Sequence, residues 1–135
     1  MKANPQRTRA TDAAHRFSAR LLFQFRVVVD GDSGKRRLCE DRIITFTAPH
    51  ARAALREAKK RGRAADHRLK NAEGQPVCFE FVGIQELLCL DPECEADEVW
   101  YRIVERVTPM ERRDALIPPE NQLSAFRFEL GPNSR

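Results

Sequence analysis

The clearest pattern in the chain is one long alternation. Phe17, Ala19, Leu21, Phe23, Phe25, Val27 and Val29 alternate with Ser18, Arg20, Leu22, Gln24, Arg26, Val28 and Asp30. Successive strand side chains point to opposite faces, so this spacing predicts a long strand with one buried face. Asp30-Gly31-Asp32-Ser33-Gly34-Lys35 tolerates the positive φ of a tight connection, and Leu38 to Thr47 returns as a β-branched second strand of the hairpin. There Leu38, Ile44 and Phe46 share one parity while Cys39 and Ile43 share the other, so a bulge or bend is expected. Pro49 suits the first helical position, Ala51, Ala54, Leu55 and Ala58 recur at helical spacing, and Gly62 supplies a stop. The other face of this helix, Arg52, Arg56, Lys59, Lys60 and Arg61, is strongly basic; solvated helix faces are commonly charged, so a solvated face is the reading favoured over a nucleic-acid contact.

Past the helix, His67 falls on a short strand. Asn71-Ala72-Glu73-Gly74 carries the asparagine and glycine of a type I hairpin turn with a glycine bulge. Val77, Phe79 and Phe81 then alternate with Cys78, Glu80 and Val82, and Gly83 interrupts before Ile84 to Leu90 resumes, so the sheet is expected to bend at Gly83. After the acidic loop 91–98, Val99, Tyr101, Ile103 and Val107 share a parity and predict a further strand. Beyond Pro109 the chain is polar, carries Pro118-Pro119, and ends in Phe126, Phe128 and Leu130, read as an edge strand or docking segment. No internal repeat is visible.

The expected fold is α+β: a curved antiparallel sheet with one main helix packed on it, in the order β-β-α-β-β-β-β. Its core is expected to hold Phe17, Leu21, Phe23, Phe25, Leu55, Phe79, Phe81 and Tyr101. Residues 1–15, with Lys2, Arg7 and Arg9 and little apolar area to offset the entropy of ordering, read as a flexible basic arm. Residues 16–108 form the core domain and 109–135 a C-terminal extension.

Composition narrows the class. At 135 residues the chain can bury one core without metal or disulfide staples. The longest apolar runs, Leu21-Leu22-Phe23 and Val27-Val28-Val29, are too short for a signal peptide or a membrane span, so a cytoplasmic protein with reduced thiols is expected. The net charge of +4 conceals a division. Residues 1–70 hold 18 Lys and Arg against 7 Asp and Glu, and residues 71–135 hold 6 against 13. Such asymmetry suits a basic surface for nucleic acid, an acidic surface for a basic partner, or two halves that neutralise each other.

Several motifs fail on their chemistry. VVVDGDSGKR has two residues between its glycines and Arg36 after the lysine, whereas a phosphate loop needs four, then Ser or Thr, then a helix. VCFEFVGI shares Phe79, Phe81 and Val82 with the base-stacking octamer of RNA-recognition motifs, but Glu80 puts a negative charge where RNA would lie. Cys89 and Cys94 have the spacing of half a zinc site without a second pair; Cys39, His67 and Cys78 would have to converge by folding. Asp91, Glu93, Glu95, Asp97 and Glu98 resemble a calcium loop only in acidity, with Ala96 and Arg102 where glycine and glutamate belong. The histidines, His15, His50 and His67, neighbour no cysteine, and no hydrolase or metalloprotease motif occurs.

Ser18-Ala19-Arg20-Leu21-Leu22-Phe23, Glu40 to Ala48 leading into an alanine-rich helix, Asn71, Glu73-Gly74, Val77, Phe79-Glu80-Phe81-Val82-Gly83-Ile84 and Glu98-Val99-Trp100-Tyr101-Arg102 together resemble the bacterial domain-of-unknown-function family DUF4288, over about residues 18–104. The resemblance implies a compact domain with one helix against an antiparallel sheet. It implies no activity, and it assigns no functional residues.

Three functions remain open. The first is a non-catalytic module that binds another protein, as inhibitor or immunity proteins do, through Asp91, Glu93, Glu95, Asp97 and Glu98 or an exposed sheet edge. The alternative is nucleic-acid binding through Arg7, Arg9, Arg52, Arg56, Lys59 and Arg63. The third is an enzyme of unknown class, with carboxylates drawn from Glu40, Asp41, Glu80 or Glu86. No catalytic residue, metal ligand or cofactor is assigned, and no membrane partner is expected.

Overall fold

One buried face on the first strand organises the whole sheet. The computed structural model describes residues 14–129, which divide between Tyr101 and Arg102 into two units. In the first unit the alternating run forms β1 (His15–Val27), flanked by β2 (Leu38–Ala48) and β4 (Pro76–Cys89). The short β3 (His67–Lys70) pairs on the far side of β4, giving the order β2-β1-β4-β3, antiparallel throughout. The helix α1 (Ala51–Ala64) packs on the face that carries the odd residues of β1. Phe17, Ala19, Leu21 and Phe23 are buried there with Phe46, Ala48, Ala54, Ala58 and Phe79. Phe23 and Phe79 stack with ring centroids 4.7 Å apart, and Phe25 and Phe81 tilt against them.

The sheet curls about Gly83, as its sequence position predicts, and two bulges do the bending. β1 pairs with β2 without a break, so the bulge expected in β2 is absent. The register shifts lie instead on β4, between the partners of Arg20 and Leu21 and between those of Leu22 and Phe23, which leaves Gln85 and Val82 as the extra residues. Each extra residue reverses the inward parity, so Phe81, Ile84 and Leu87 face the core at intervals of three.

Helix α1 begins two residues later than Pro49 suggests, at Ala51. His50 is the N-cap, its Nδ1 accepting the Ala53 N–H at 3.1 Å. Small residues, Ala54, Ala58 and Gly62, face the sheet, and Leu55 is only half-buried outside the main cluster, because the helix approaches too closely for a larger side chain. A Cβ at Gly62 would lie 2.5 Å from the Phe81 ring. Asp66, just past the helix, accepts the Phe81 backbone N–H at 2.7 Å and fixes that end of the helix to β4.

The expected turn at Asn71 forms: its Oδ1 accepts the N–H groups of Glu73 and Gln75, its carbonyl accepts that of Gly74, and Gly74 has φ +78°. Two expected strands do not. Val99 to Val107 has the alternation but forms no ladder; Trp100 is held with its ring centroid 5.7 Å from the Arg20 guanidinium. Tyr101, placed in the core by its parity, is half-buried outside the cluster. At the end of the chain Ser124–Glu129 is helical rather than an edge strand, and Leu130 lies outside the described residues. The α+β class and the single main helix therefore hold, with four strands in place of six. The second unit, from Arg102, holds α2 (Arg113–Leu116), a 3-10 turn (Glu120–Gln122) and α3 (Ser124–Glu129); through residue 126 only Leu116 is even half-buried.

The close approach at Gly62 gives a stability prediction. In an open helix, glycine to alanine would stabilise by about 1 kcal/mol, whereas overpacking against a fixed ring costs about 1–3 kcal/mol. Gly62→Ala should therefore lose about 1–2 kcal/mol in urea denaturation, and adding Phe81→Leu should recover part of the loss. A more stable Gly62→Ala protein would contradict this packing.

Candidate functional site

Charged side chains in the first unit fall into two groups. The first is spent on structure, and its centre is Arg16 at the start of β1. The Arg16 backbone N–H and Nε donate to the two oxygens of Asp91, both at 2.9 Å. Its Nη1 donates to the carbonyls of Ala96 and Glu98 at 3.1 and 3.4 Å, and Nη2 to those of Cys94 and Glu95 at 3.4 and 3.1 Å. A planar guanidinium with five donors suits such a ring of acceptors. The acidic loop 91–98 is thus wrapped around one arginine of the neighbouring strand. Partial burial pushes the Asp91 carboxyl up, but the Arg16 backbone and side-chain hydrogen bonds outweigh it and hold the group below its ordinary value.

A second such pair crosses from β1 to β4. Arg26 donates to both oxygens of Glu80, at 2.8 and 2.9 Å, and Gln24 donates to Glu80 at 3.0 Å. Gln24 in turn accepts from Arg37 at 3.0 Å. The Arg26 hydrogen bond is the main cause that brings the Glu80 pKa from 4.5 down to about 2. Arg42 is bonded to Glu40 at 2.6 Å, with its guanidinium 4.6 Å from the Phe23 ring centroid. Arg61, grouped with the basic helix face by sequence, is bonded to Glu57 at 2.8 Å and lies over the Phe46 ring.

The second group is unpaired. Arg52, Arg56, Lys59, Lys60 and Arg63 are exposed, and among the described residues none makes an ion pair or a side-chain hydrogen bond; Lys35, Arg36, Arg68 and Lys70 are likewise exposed and unpaired, but only the helix residues fall in line. At 100° per residue Arg52, Arg56, Lys59 and Arg63 share one stripe of α1, with Lys60 beside it, turned away from Ala54, Ala58 and Gly62. The stripe is about 16 Å long at a rise of 1.5 Å per residue. The helix has one acidic residue, Glu57, and it is committed to Arg61. Arg7 and Arg9, the remaining nucleic-acid candidates, lie outside the described residues.

The protein-binding candidates divide in a similar way. Asp91 is held by Arg16, and Glu98 accepts the Glu95 N–H at 3.3 Å. Glu93, Glu95 and Asp97 are exposed on the loop. Phe79 and Phe81 turn into the core, where they cannot stack on a base. Burial pushes the Cys89 thiol up, and it donates to the Asp91 carbonyl at 3.4 Å; among the described residues no three His, Cys, Asp or Glu side chains gather as metal ligands. Nor, among these residues, is any helix long and apolar enough to cross a membrane.

Sequence reasoning did not find Arg16. An arginine on the polar parity of a strand carries no local mark, and its link to a loop some 75 positions away requires the β1–β4 register.

A family model described as "Domain of unknown function (DUF4288)" matches residues 16–99. The chain belongs to this family. The DUF4288 span opens at Arg16 and closes just past Glu98, so it contains both ends of the clasp, the sheet and the cationic stripe. No curated protein and no solved structure matches the chain.

The Glu80 pair makes a pH prediction. Because its folded pKa is depressed, its contribution is fully present above pH 4.5 and is lost as pH falls through about 2. Over that window the wild-type protein should lose more stability than Glu80→Gln in urea denaturation. Equal slopes would show that the pair contributes nothing.

Proposed function

We propose that this DUF4288 domain is a non-catalytic binding module that holds the phosphate backbone of a nucleic acid against the cationic stripe of α1. The observation that carries this reading is that Arg52, Arg56, Lys59 and Arg63 share one stripe and, among the described residues, make no ion pair or side-chain hydrogen bond, while Arg16, Arg26, Arg37, Arg42 and Arg61 are all engaged.

A solvated helix face normally mixes signs. Here Arg52 and Arg56, Arg56 and Lys59, Arg56 and Lys60, Lys59 and Arg63, and Lys60 and Arg63 are like charges three or four residues apart. Each such pair destabilises a helix by about 0.2–0.5 kcal/mol, so the stripe costs about 1–2.5 kcal/mol that a polyanion would relieve. The stripe has neither aromatic side chains to stack on bases nor amides to read adenine, so contact is expected to be chiefly to phosphates. Three carboxyls that pair with arginines, Glu57, Glu80 and Asp91, are shifted down, the opposite of what a proton donor needs at neutral pH.

A protein partner is the second candidate, favoured by the bracing of loop 91–98, which presents Glu95 and Asp97 on fixed backbone as an inhibitor or immunity protein would.

Four neutralised phosphates predict a slope of about −4 for log affinity against log salt, a loss of about 10²-fold between 50 and 200 mM. Measured by fluorescence anisotropy on a labelled duplex, Arg56→Glu with Lys59→Glu should weaken binding at least about tenfold and flatten the slope. Glu95→Gln with Asp97→Asn should leave binding unchanged. Affinity indifferent to salt and to the double reversal would overturn the proposal.

A further inference from the structure

Two thiols lie at the far end of β4. Cys89 is the last residue of the strand, opposite Phe17 of β1, and Cys94 follows within the loop that Arg16 holds. The chain turns back between them: the Cys94 N–H donates to the Leu90 carbonyl at 2.9 Å, which brings Cys94 beside the residue that follows Cys89. The Cys89 thiol curls over the same turn and donates to the Asp91 carbonyl at 3.4 Å. Burial is the main cause that pushes this thiol up, and a charge on Cys94 adds to it, which requires the two sulfurs to lie within electrostatic reach of one another. Both are half-buried free thiols.

The other two cysteines are out of range. Cys39 lies opposite Gln24 and Cys78 opposite Arg26, about 23 and 30 Å along β1 from Phe17 at about 3.3 Å per residue.

We propose that Cys89 and Cys94 are a redox-active dithiol, which a small disulfide such as oxidised glutathione converts into an intramolecular disulfide that ties the loop 91–98 to the end of β4.

The exchange balances in two steps. The Cys94 thiolate attacks one sulfur of the oxidant, a mixed disulfide forms, and one glutathione thiolate leaves. The Cys89 thiolate then attacks the Cys94 sulfur, and the second glutathione thiolate leaves. The two cysteines lose two electrons and two protons, and the oxidant becomes two thiols. Cys94 is the attacking group because Cys89 is the thiol that burial keeps protonated.

Closure alters the clasp. The Cys89 S–H no longer donates to the Asp91 carbonyl, and Cys94 is drawn toward β4 while its own carbonyl accepts from Arg16 Nη2 at 3.4 Å, one of the two longest bonds to that guanidinium. Bonds of that length have give, whereas the 2.9 Å pair to Asp91 holds the root of the loop. Oxidation thus resets the segment that carries Glu95 and Asp97 and leaves α1 as it is.

In a Cys39→Ser background, the full chain in a glutathione redox buffer should lose the mass of two hydrogens, with Cys89 and Cys94 in one linked peptide, and dithiothreitol should restore both thiols. Adding Cys89→Ser should stop the reaction at a glutathione adduct on Cys94. The folded chain should close at a more reducing glutathione ratio than the urea-unfolded chain, because the turn already holds the pair together. On closure the NMR amide signals of loop 91–98 and the Arg16 Nε–H signal should shift, with those of α1 unmoved. A folded chain that stays at the mixed disulfide, closes no more readily than the unfolded one, or closes with the loop signals in place would overturn the proposal.

Discussion

The contact between Gly62 and Phe81 sets the position of everything else in the first unit. A helix can lie this close to a sheet only where a side chain is missing, and the missing Cβ at Gly62 leaves room for the ring. Phe81 is in turn tilted against Phe23 and reached by the hydrogen bond from its backbone to Asp66. With that end of α1 fixed and Ala54 and Ala58 facing the sheet, the roll of the helix is determined. Arg52, Arg56, Lys59 and Arg63 then have one direction available, outward. The packing of a glycine thereby decides where a cationic surface points.

The same sheet shows what the protein does with charges it uses internally. Arg16 draws the loop 91–98 around itself, Arg26 grips Glu80 across two strands, and Arg61 and Arg42 cover the Phe46 and Phe23 rings. These side chains satisfy carbonyls and carboxylates that would otherwise need water, and they close the edges of a small core. The acidity of loop 91–98 acquires a structural cause, since Asp91 and four backbone carbonyls serve the clasp. No such cause exists for the helix stripe, which is why the functional weight falls there.

Much of this was legible in the sequence. The alternation from Phe17 fixed β1 and its buried face, Asn71 and Gly74 marked their turn, and Gly83 marked the bend. Three kinds of feature were hidden. The parity reversals at Val82 and Gln85 arise from pairing with β1 and have no local signature. Val99 to Val107 has strand character, yet strand character becomes structure only where a ladder forms, and Trp100 is held by Arg20 instead. Arg16 and Arg61 looked like any other cations until register and rotation placed them against acceptors. The candidate residues on α1 were readable as a stripe from spacing alone, but their lack of partners could be known only once every neighbour was in place.

The most direct test is an NMR titration of the full chain with a duplex at low salt, followed through backbone amides and arginine Nε–H signals. Shifts centred on Arg52, Arg56, Lys59 and Arg63, with loop 91–98 and the Arg16 Nε–H unmoved, are the predicted result. Shifts centred on loop 91–98, or none on the helix, would contradict the central claim that the cations without a structural role are the ones that bind.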